Sequence, residues 1–490
     1  MSPALVSLAT ILAIVAFGTT IGFLAGVHRK MDLEQWTVGS RGFGAVLVFL
    51  LMAGEVYTTF AFLGASGWAY SRGGPTLYVL AYLTLAYVVS FFVLPQLWEL
   101  GRRHALQTQS DFFHARYGNP YLAGFVCVVG IVSIIPYLQL QITGVGIIVS
   151  LATFDRIGRV AAMAVAVVLL VAFVFASGVR AVAWVSIVKD VLMLGAAFAI
   201  GIGIPLVHFG GVGPMFAALV HVKPGHLTMP GATANLGHAW FISTVLLTSL
   251  GFYMWPHAFA STFTARSADT LRRNAVVMPL YSLTLALMLI AGFSAVLIVP
   301  GLANGDLALL TVVRQTFPPW FLGVVGGAGA LTAMVPASIF ILSAATLFAK
   351  NLYRPLFAPA MTDDQVAVLA RAMVILLGLI SLVLAIFSST TLVSLLLTGY
   401  AGVTQFFPGV VLGLYWQRVT MRAVFAGMIA GVATAAFLML SHRDPVFGLS
   451  AGFLALCLNF LIVVAVSLSV PVAATDRQLP DGTADLPAGG

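Results

Sequence analysis

Charged residues are scarce in this chain of 490 residues: Asp, Glu, Lys and Arg make up 8% of it, where a soluble domain carries about 25%. Hydrophobic residues make up 61%, so the chain lacks the polar residues needed to cover a water-facing surface. Lipid is therefore the predicted solvent for most of the chain. Cysteine is scarce too. Since Cys127 and Cys457 both lie in apolar runs, neither a disulfide framework nor a metal site is predicted.

Motifs of enzyme chemistry are also missing. The sequence has no phosphate-binding P-loop and no H-E-x-x-H, so nucleotide hydrolysis and a zinc peptidase site have no support. No catalytic residue is predicted. A membrane sensor would need an output domain, and the polar segment 471–490 is predicted to be only a disordered tail. A passive channel would need a continuous polar lining, which the apolar runs do not offer.

Thirteen apolar runs are long enough to cross a bilayer, which takes about 20 residues. They cover roughly residues 4–27, 43–70, 75–97, 120–152, 158–177, 181–208, 239–263, 275–300, 319–348, 365–387, 390–416, 421–441 and 446–470. With the N-terminus outside and alternating spans, sixteen of the 23 Lys and Arg residues lie in inside loops and six in outside loops, and Lys189 lies within a span. This bias predicts an all-α, multi-pass protein of the plasma membrane, of the bacterial inner membrane type, with a cytoplasmic C-terminus. The net charge of +8 belongs to these loops, so no nucleic-acid partner is predicted.

Three spans contain residues that interrupt helices. The second has Gly54, the seventh has Gly251 and Pro256, and the ninth has Pro336. Interrupted helices at matching places in two halves of a membrane protein mark transporter binding sites, although Gly and Pro are also simply common in membrane helices.

Ionisable groups inside spans are few, and each is costly in a bilayer, on the order of 2.5–3.5 kcal/mol near a helix centre. Glu55 is the one carboxylate well inside a span, and a buried carboxyl group suits a proton carrier as well as a fixed ion pair. Lys189 could pair with Glu55, pair with Asp190, attract an anion or reach the headgroups. His257 has either a proton or substrate role or a structural hydrogen bond. Gln139 and Gln141 could face the same cavity.

Four segments resemble the sodium:solute symporter family. Residues 62–70 (FLGASGWAY) look like its FLG-x-x-G-x-x-Y signature, and Arg41 in 38–41 (VGSR) matches the preceding loop. Residues 178–184 (GVRAVAW) are similar to its GG-x-x-AV-x-W turn, and 345–354 resemble the end of its eighth core helix. The resemblance implies a LeuT-type fold with two inverted repeats of five helices and secondary active transport by alternating access. The domains expected on this basis are a leading helix and loop (1–42), the first repeat (43–208), an outer loop with the second repeat (209–416), two trailing helices (417–470) and the tail (471–490).

The departures from the family concentrate at its expected cation site. Val335 and Pro336 stand where sodium-dependent members place two hydroxyl residues, which removes two oxygen ligands for a hard cation. Glu55 stands where an alanine carbonyl usually contributes, Ser186 replaces an Asp, and Lys189 replaces a Gln. A titratable Glu55, tuned by Lys189, could replace sodium and give proton coupling. The rival is that Glu55 is itself a sodium ligand. Beyond the coupling ion, H⁺ or Na⁺, no cofactor is expected.

The expected solute is a small organic anion, since the chain looks most like the monocarboxylate permease branch of the family. Proline-like amino acids and pantothenate, coupled to sodium, are the alternatives. The candidate residues of the substrate cavity lie beside the interruptions predicted in the second and seventh spans and within the fourth span: Tyr57, Thr58, Gln139, Gln141, Tyr253 and His257.

Overall fold

The computed structural model describes residues 2–26 and 41–470, apart from the side chains of residues 25, 26 and 176–181. The loop with Arg29 and Lys30, the side chain of Arg180 and the predicted disordered tail 471–490 lie outside the described part. Within it the chain is helical, and no strand is formed. The fold class predicted from the composition is therefore confirmed.

The α-helices of the described residues are numbered here in chain order. They are α1 (Pro3–Gly26), α2 (Ala45–Val56), α3 (Ala65–Ser71), α4 (Tyr78–Arg103), α5 (Gln109–Tyr117), α6 (Pro120–Ala152), α7 (Arg159–Phe209), α8 (Val212–Val222), α9 (His238–Gly251), α10 (Pro256–Thr262), α11 (Ala268–Tyr281), α12 (Leu283–Ile298), α13 (Ala308–Thr316), α14 (Pro319–Thr346), α15 (Arg354–Phe357), α16 (Asp363–Phe387), α17 (Leu392–Val403), α18 (Phe407–Tyr415), α19 (Met421–Leu440) and α20 (Ala451–Ser469).

Ten helices of the described residues are long and apolar enough to cross a membrane, or eleven if the bent pair α2 and α3 is one span. The predicted number of thirteen is not confirmed by this criterion, because Arg159–Phe175 and His238–Met254 are too short for it. The side of the bundle that carries Arg72, Lys223 and Arg314 is the one predicted to be outside, and it is called the outer side below.

Helix α7 covers two of the predicted spans, 158–177 and 181–208. Val185 and Phe173 both lie within 3 Å of the position that a Cβ at Gly22 would take, at 2.7 and 2.9 Å. Residues of both predicted spans therefore pack beside α1.

Two of the three predicted interruptions are present. The second span breaks after Val56 and bends by 55° before it continues through the π-helical turn Phe60–Gly64 into α3. The seventh breaks at the 3₁₀ turn Phe252–Met254, between α9 and α10. The prediction of a break at Pro336 is wrong, because α14 runs through it unbroken. Neighbouring helices can satisfy the backbone groups that a buried proline leaves free.

Candidate functional site

The break in the second span is held open by side chains from outside it. Gln141 on α6 accepts hydrogen bonds through Oε1 from the Thr59 N–H at 3.2 Å and the Thr59 hydroxyl at 2.7 Å. The Thr58 hydroxyl accepts from the N–H of Phe60 at 3.2 Å. These bonds replace the intrahelical partners that unwinding removes, and a polar group left bare here would cost about 1–3 kcal/mol. Gln141 and Thr58, both expected near the solute, thus stabilise the break itself.

The ammonium group of Lys189 is bound to the free carbonyl oxygens at this break. Its ammonium donates to the carbonyl oxygens of Gly54 at 3.2 Å and Tyr57 at 3.1 Å, and it lies 3.0 Å from the Asp190 carboxylate. An ammonium has three N–H donors, so these three partners use all of them. The Lys189 side chain is fully buried. Of the alternatives left open by the sequence, the pairing with Asp190 is the one observed.

Close approach of α7 to the break depends on the lack of a side chain at Gly54. A Cβ there would lie 2.7 Å from the Ser186 hydroxyl oxygen, which is closer than real Cβ atoms come. Ser186 donates to the Val182 carbonyl at 3.0 Å, within its own helix. On the other side of Lys189, the hydroxyl of Tyr281 donates to Asp190 at 3.0 Å. The ion pair is thereby fixed between α7 and α11.

Glu55 faces the second broken helix instead. The Ser261 hydroxyl on α10 donates a hydrogen bond to Glu55 Oε1, which links the two broken helices directly. Glu55 is 5% exposed, so this carboxyl group is held inside the bundle. No sequence pattern singles out Ser261, because a lone hydroxyl near the end of an apolar helix is common.

An enclosed cavity lies between the two breaks, with about 20 Å³ of free volume, room for roughly one water molecule. Its wall contains the following residues, and is called the cavity wall below: Met52, Glu55, Val56, Tyr137, Phe252, Tyr253, Trp255, His257, Ala258 and Tyr400. The rings pack closely, with 4.9 Å between the centroids of Tyr137 and Trp255 and 4.2 Å between those of His257 and Phe340. The space between the two breaks is therefore closed in this conformation.

In the cavity wall, Nδ1 of His257 has no hydrogen-bond partner among the described residues. Nε1 of Trp255 forms no hydrogen bond of ordinary geometry there, although the Tyr400 side chain lies beside it. Both are buried, and an indole N–H only donates, so it needs an acceptor. His257 is the one predicted residue with such a free atom here. Trp255, which directly precedes Pro256, could have been noticed from its place beside the break.

The other predicted residues are distributed as follows. Tyr253 belongs to the cavity wall, whereas the Tyr57 ring packs edge-on against Tyr281 at 4.2 Å. The Gln139 amide donates to the Leu384 carbonyl on α16 at 3.4 Å, away from the cavity. Val335 and Pro336 are buried within α14. The structure therefore groups Glu55, Tyr253 and His257, and separately Lys189 and Ser186.

The model of the sodium:solute symporter family matches residues 36–431. A relative in Bacillus subtilis (strain 168), described as the uncharacterized symporter YhjB, is 44% identical over 94% of this chain and 96% of its own. The monocarboxylate transport permease protein of Rhizobium johnstonii (strain DSM 114642 / LMG 32736 / 3841) is 27% identical over 94% of this chain and 96% of its own.

A solved structure shares the whole architecture. It is a Na⁺-coupled sialic acid symporter in a substrate-bound, outward-open state, with a TM-score of 0.79 and 15% identity. The superposition covers 96% of this chain and 98% of that one. At this identity the likeness establishes the fold, which is the LeuT type.

Proposed function

This chain belongs to the sodium:solute symporter family, and we propose that it imports a small monocarboxylate together with a proton. A cation-coupled symporter is what the family membership supports. The nature of the solute and of the coupling ion is argued below from the contacts of Lys189, Glu55 and the cavity wall.

The observation that carries proton coupling is the ammonium of Lys189 on the carbonyl oxygens of Gly54 and Tyr57. Carbonyl oxygens at a helix break are ligands of the kind that hold a sodium ion. Here they already bind a positive charge that belongs to the chain. While the ammonium donates to these oxygens, they are not available to coordinate a sodium ion. This supports coupling to an ion other than sodium.

Glu55 supplies a group that can carry the proton. It belongs to the cavity wall, so a bound carboxylate would lie close to it. Two negative charges about 5 Å apart repel by about 3 kcal/mol at an effective dielectric constant of about 20. A proton on Glu55 removes that repulsion, which makes solute binding about 100-fold tighter, and by linkage the bound solute tightens proton binding equally. Such mutual dependence is the basis of symport.

The cavity wall favours a small carboxylate as solute. In its Nδ1–H tautomer, His257 offers a hydrogen bond to a carboxylate oxygen, and Trp255 Nε1 offers a second once it turns from the Tyr400 side chain. Since the free volume is only about 20 Å³, the rings must separate to admit even a few atoms. The rings have to separate least for a short monocarboxylate and most for a molecule of the size of pantothenate. The name of the Rhizobium relative, a monocarboxylate permease, supports the same class.

The test is uptake into liposomes that contain the purified protein. Labelled acetate, pyruvate and proline would be offered under separate proton and sodium gradients, with protein-free liposomes as the baseline. We expect concentrative uptake of acetate or pyruvate driven by the proton gradient and lost in Glu55→Gln. The matched control is Glu99→Gln, the same change at an exposed position on α4, which should leave uptake unchanged.

The outcome that contradicts proton coupling is uptake driven by the sodium gradient alone. It would favour the second candidate, a sodium-coupled symporter in which Glu55 or the unpartnered Oδ2 of Asp190 is an ion ligand. Concentrative uptake of proline in preference to pyruvate would contradict the monocarboxylate assignment independently of the ion.

A further inference from the structure

A buried carboxylate on the outer side, Asp306, takes no part in the site described above. It lies in the 3₁₀ turn Gly305–Leu307, which precedes α13 and is called the outer turn below. A turn at the surface ordinarily leaves a carboxylate in water, yet Asp306 is only 3% exposed. None of the ion pairs between described residues involves it. Burial of a carboxylate without an ion pair is costly, so this arrangement needs an explanation.

The outer turn packs directly on the backbone of α3, the outer half of the broken second span. A Cβ at Gly67 on α3 would lie 2.8 Å from both the backbone nitrogen and Oδ1 of Asp306. A Cβ at Gly305 would press on the carbonyl oxygen of Gly67. Because neither glycine has a side chain, the two backbones meet with the Asp306 carboxylate at their contact.

The same carboxylate reaches the start of α17. Its Oδ2 accepts the N–H of Leu392, the first residue of that helix, at 3.1 Å. The first N–H groups of a helix have no partner within it, so Asp306 supplies an acceptor that α17 lacks. The Trp68 indole N–H on α3 also donates to the Thr391 hydroxyl at 3.4 Å. Asp306 therefore lies where the outer turn, α3 and α17 meet.

The other charged and titratable groups near the outer turn have partners of their own. On α3 the Tyr70 hydroxyl donates to a backbone carbonyl at 2.9 Å, and Arg72, directly after α3, lies over the Trp68 ring. On α13, Arg314 pairs with the exposed Asp155 at 3.7 Å. Helices α12 and α17 contain no charged residue. None of these groups compensates the charge of an ionised Asp306.

Arg159, the half-buried first residue of α7, is the charged group that acts on Asp306. Its attraction favours the ionised carboxylate, as does the hydrogen bond from the Leu392 N–H, whereas burial favours the neutral acid. Burial is the largest of these effects and raises the pKa of Asp306 to about 6. In the packed arrangement the carboxylate thus takes up a proton in mildly acidic medium.

The burial of Asp306 lasts only while the three elements stay together. If the outer turn separates from α3 and α17, water reaches the carboxylate and its pKa returns toward the ordinary value of 3.8. The packed arrangement therefore binds a proton more tightly than the separated one, and by linkage a bound proton favours the packed arrangement. This contribution is complete below about pH 4 and is lost as the pH rises through about 6.

We propose that Asp306 is a proton-binding site that holds the outer side of the protein closed when the medium outside is acidic. With a proton on Asp306, the outer turn stays on α3 and the start of α17. When Asp306 is ionised, its hydration favours their separation. The inference goes beyond the proposed function, because it requires neither a particular solute nor a proton on Glu55.

The experiment measures the distance between two spin labels on the outer side as a function of pH. Ala303→Cys and Ser389→Cys place them at exposed positions before the outer turn and before α17. Cys457→Ser removes the exposed native thiol, and Cys127 is buried. The protein is held in lipid nanodiscs without solute, and Glu55→Gln is present throughout so that Glu55 does not titrate. Pulsed electron spin resonance is recorded at about pH 5 and pH 8.

Two distances are expected, and their proportions should depend on pH. A pKa that moves between about 4 and about 6 makes the ratio of the shorter to the longer distance about tenfold larger at pH 5 than at pH 8. Asp306→Asn cannot ionise and keeps an acceptor for Leu392, so it should show the shorter distance at both pH values. The matched control is Asp364→Asn, an exposed position on α16, which should respond to pH as the parent does.

Arg159→Gln is an independent test. It removes the attraction that favours the ionised form, so the pH at which the two distances change proportion should rise. This prediction holds even if Asp306→Asn does not fold, and a midpoint that stays the same or falls would contradict it.

Three results would overturn the proposal. They are proportions that do not change with pH, a longer distance favoured at pH 5, and a pH response of Asp306→Asn equal to that of Asp364→Asn. Since no solute or gradient is present and Glu55 is neutral, each result leaves the test of proton-driven uptake open. Failure of that uptake would equally leave the distance measurement intact.

Discussion

Removal of the Lys189 ammonium gives the sharpest test of its role at the helix break. Lys189→Ala leaves the carbonyl oxygens of Gly54 and Tyr57 without their donor and leaves the buried Asp190 unpaired. Loss of one partner of a buried ion pair costs about 3–5 kcal/mol. We therefore expect a large fall in the thermal unfolding midpoint of the purified protein, measured by intrinsic fluorescence in detergent.

Sodium should restore part of the stability that Lys189→Ala loses. The space vacated in Lys189→Ala is lined by two carbonyl oxygens and a carboxylate, with the Ser186 hydroxyl beside them. A sodium ion bound there at a concentration of 100 times its Kd would return about 2.7 kcal/mol. The midpoint of this variant should thus be higher in sodium chloride than in choline chloride at equal ionic strength. The parent protein should show no such difference.

Lys189→Met is the matched control, because it removes the charge but fills the space. It should be destabilised like the alanine variant and should not respond to sodium. Equal midpoints of Lys189→Ala in the two salts would refute the idea that the ammonium takes the place of a bound cation. An unfolding midpoint equal to that of the parent would refute the argument that the ammonium stabilises the break.

Two more outcomes follow from other parts of the structure. Burial raises the pKa of Asp306, on the outer side, to about 6, so folding stability falls as the pH rises from about 4 to 6, and above pH 6 the cost is about 3 kcal/mol. Asp306→Asn keeps an acceptor for the Leu392 N–H and should raise the unfolding midpoint at pH 8 but much less at about pH 4; a gain independent of pH would contradict this. Gly251→Ala would place a Cβ against the Thr404 hydroxyl and should cost about 1–3 kcal/mol by overpacking. Gly195→Ala, where a Cβ meets nothing within 4 Å, should not lower the midpoint, and equal effects of the two changes would argue against the overpacking.

The sequence predicts the membrane class and two of the three expected breaks because both depend on local composition. Apolar runs identify spans, and the breaks beside Gly54 and Pro256 coincide with residues that favour them. The same reasoning fails at Pro336, where the surrounding helices keep α14 continuous. It also misses the 3₁₀ turn Thr404–Phe406 between α17 and α18. Proline alone therefore does not decide where a membrane helix unwinds.

Partners of the buried polar groups were harder to predict, since they depend on how the helices are rotated against one another. Glu55 is conspicuous by its cost in a bilayer, but its contact with Ser261 requires the orientation of α10. The pairing of Lys189 with Asp190 was one of several alternatives, and helical spacing could not select it, because adjacent residues in a helix do not face each other. Gln139 and Gln141 are two residues apart, and only the second reaches the break.

The positive charge at the first break belongs to the Lys189 side chain, and this affects the rate of the transport cycle. A side chain that is already in place has an effective concentration set by its own geometry, independent of the salt in the medium. The carbonyl oxygens of Gly54 and Tyr57 therefore need not bind an ion from solution. No ion has to dissociate from them before the empty transporter returns to its starting conformation. With a proton as the coupling ion, the turnover rate of this protein would depend on the pH of the medium and not on its sodium concentration.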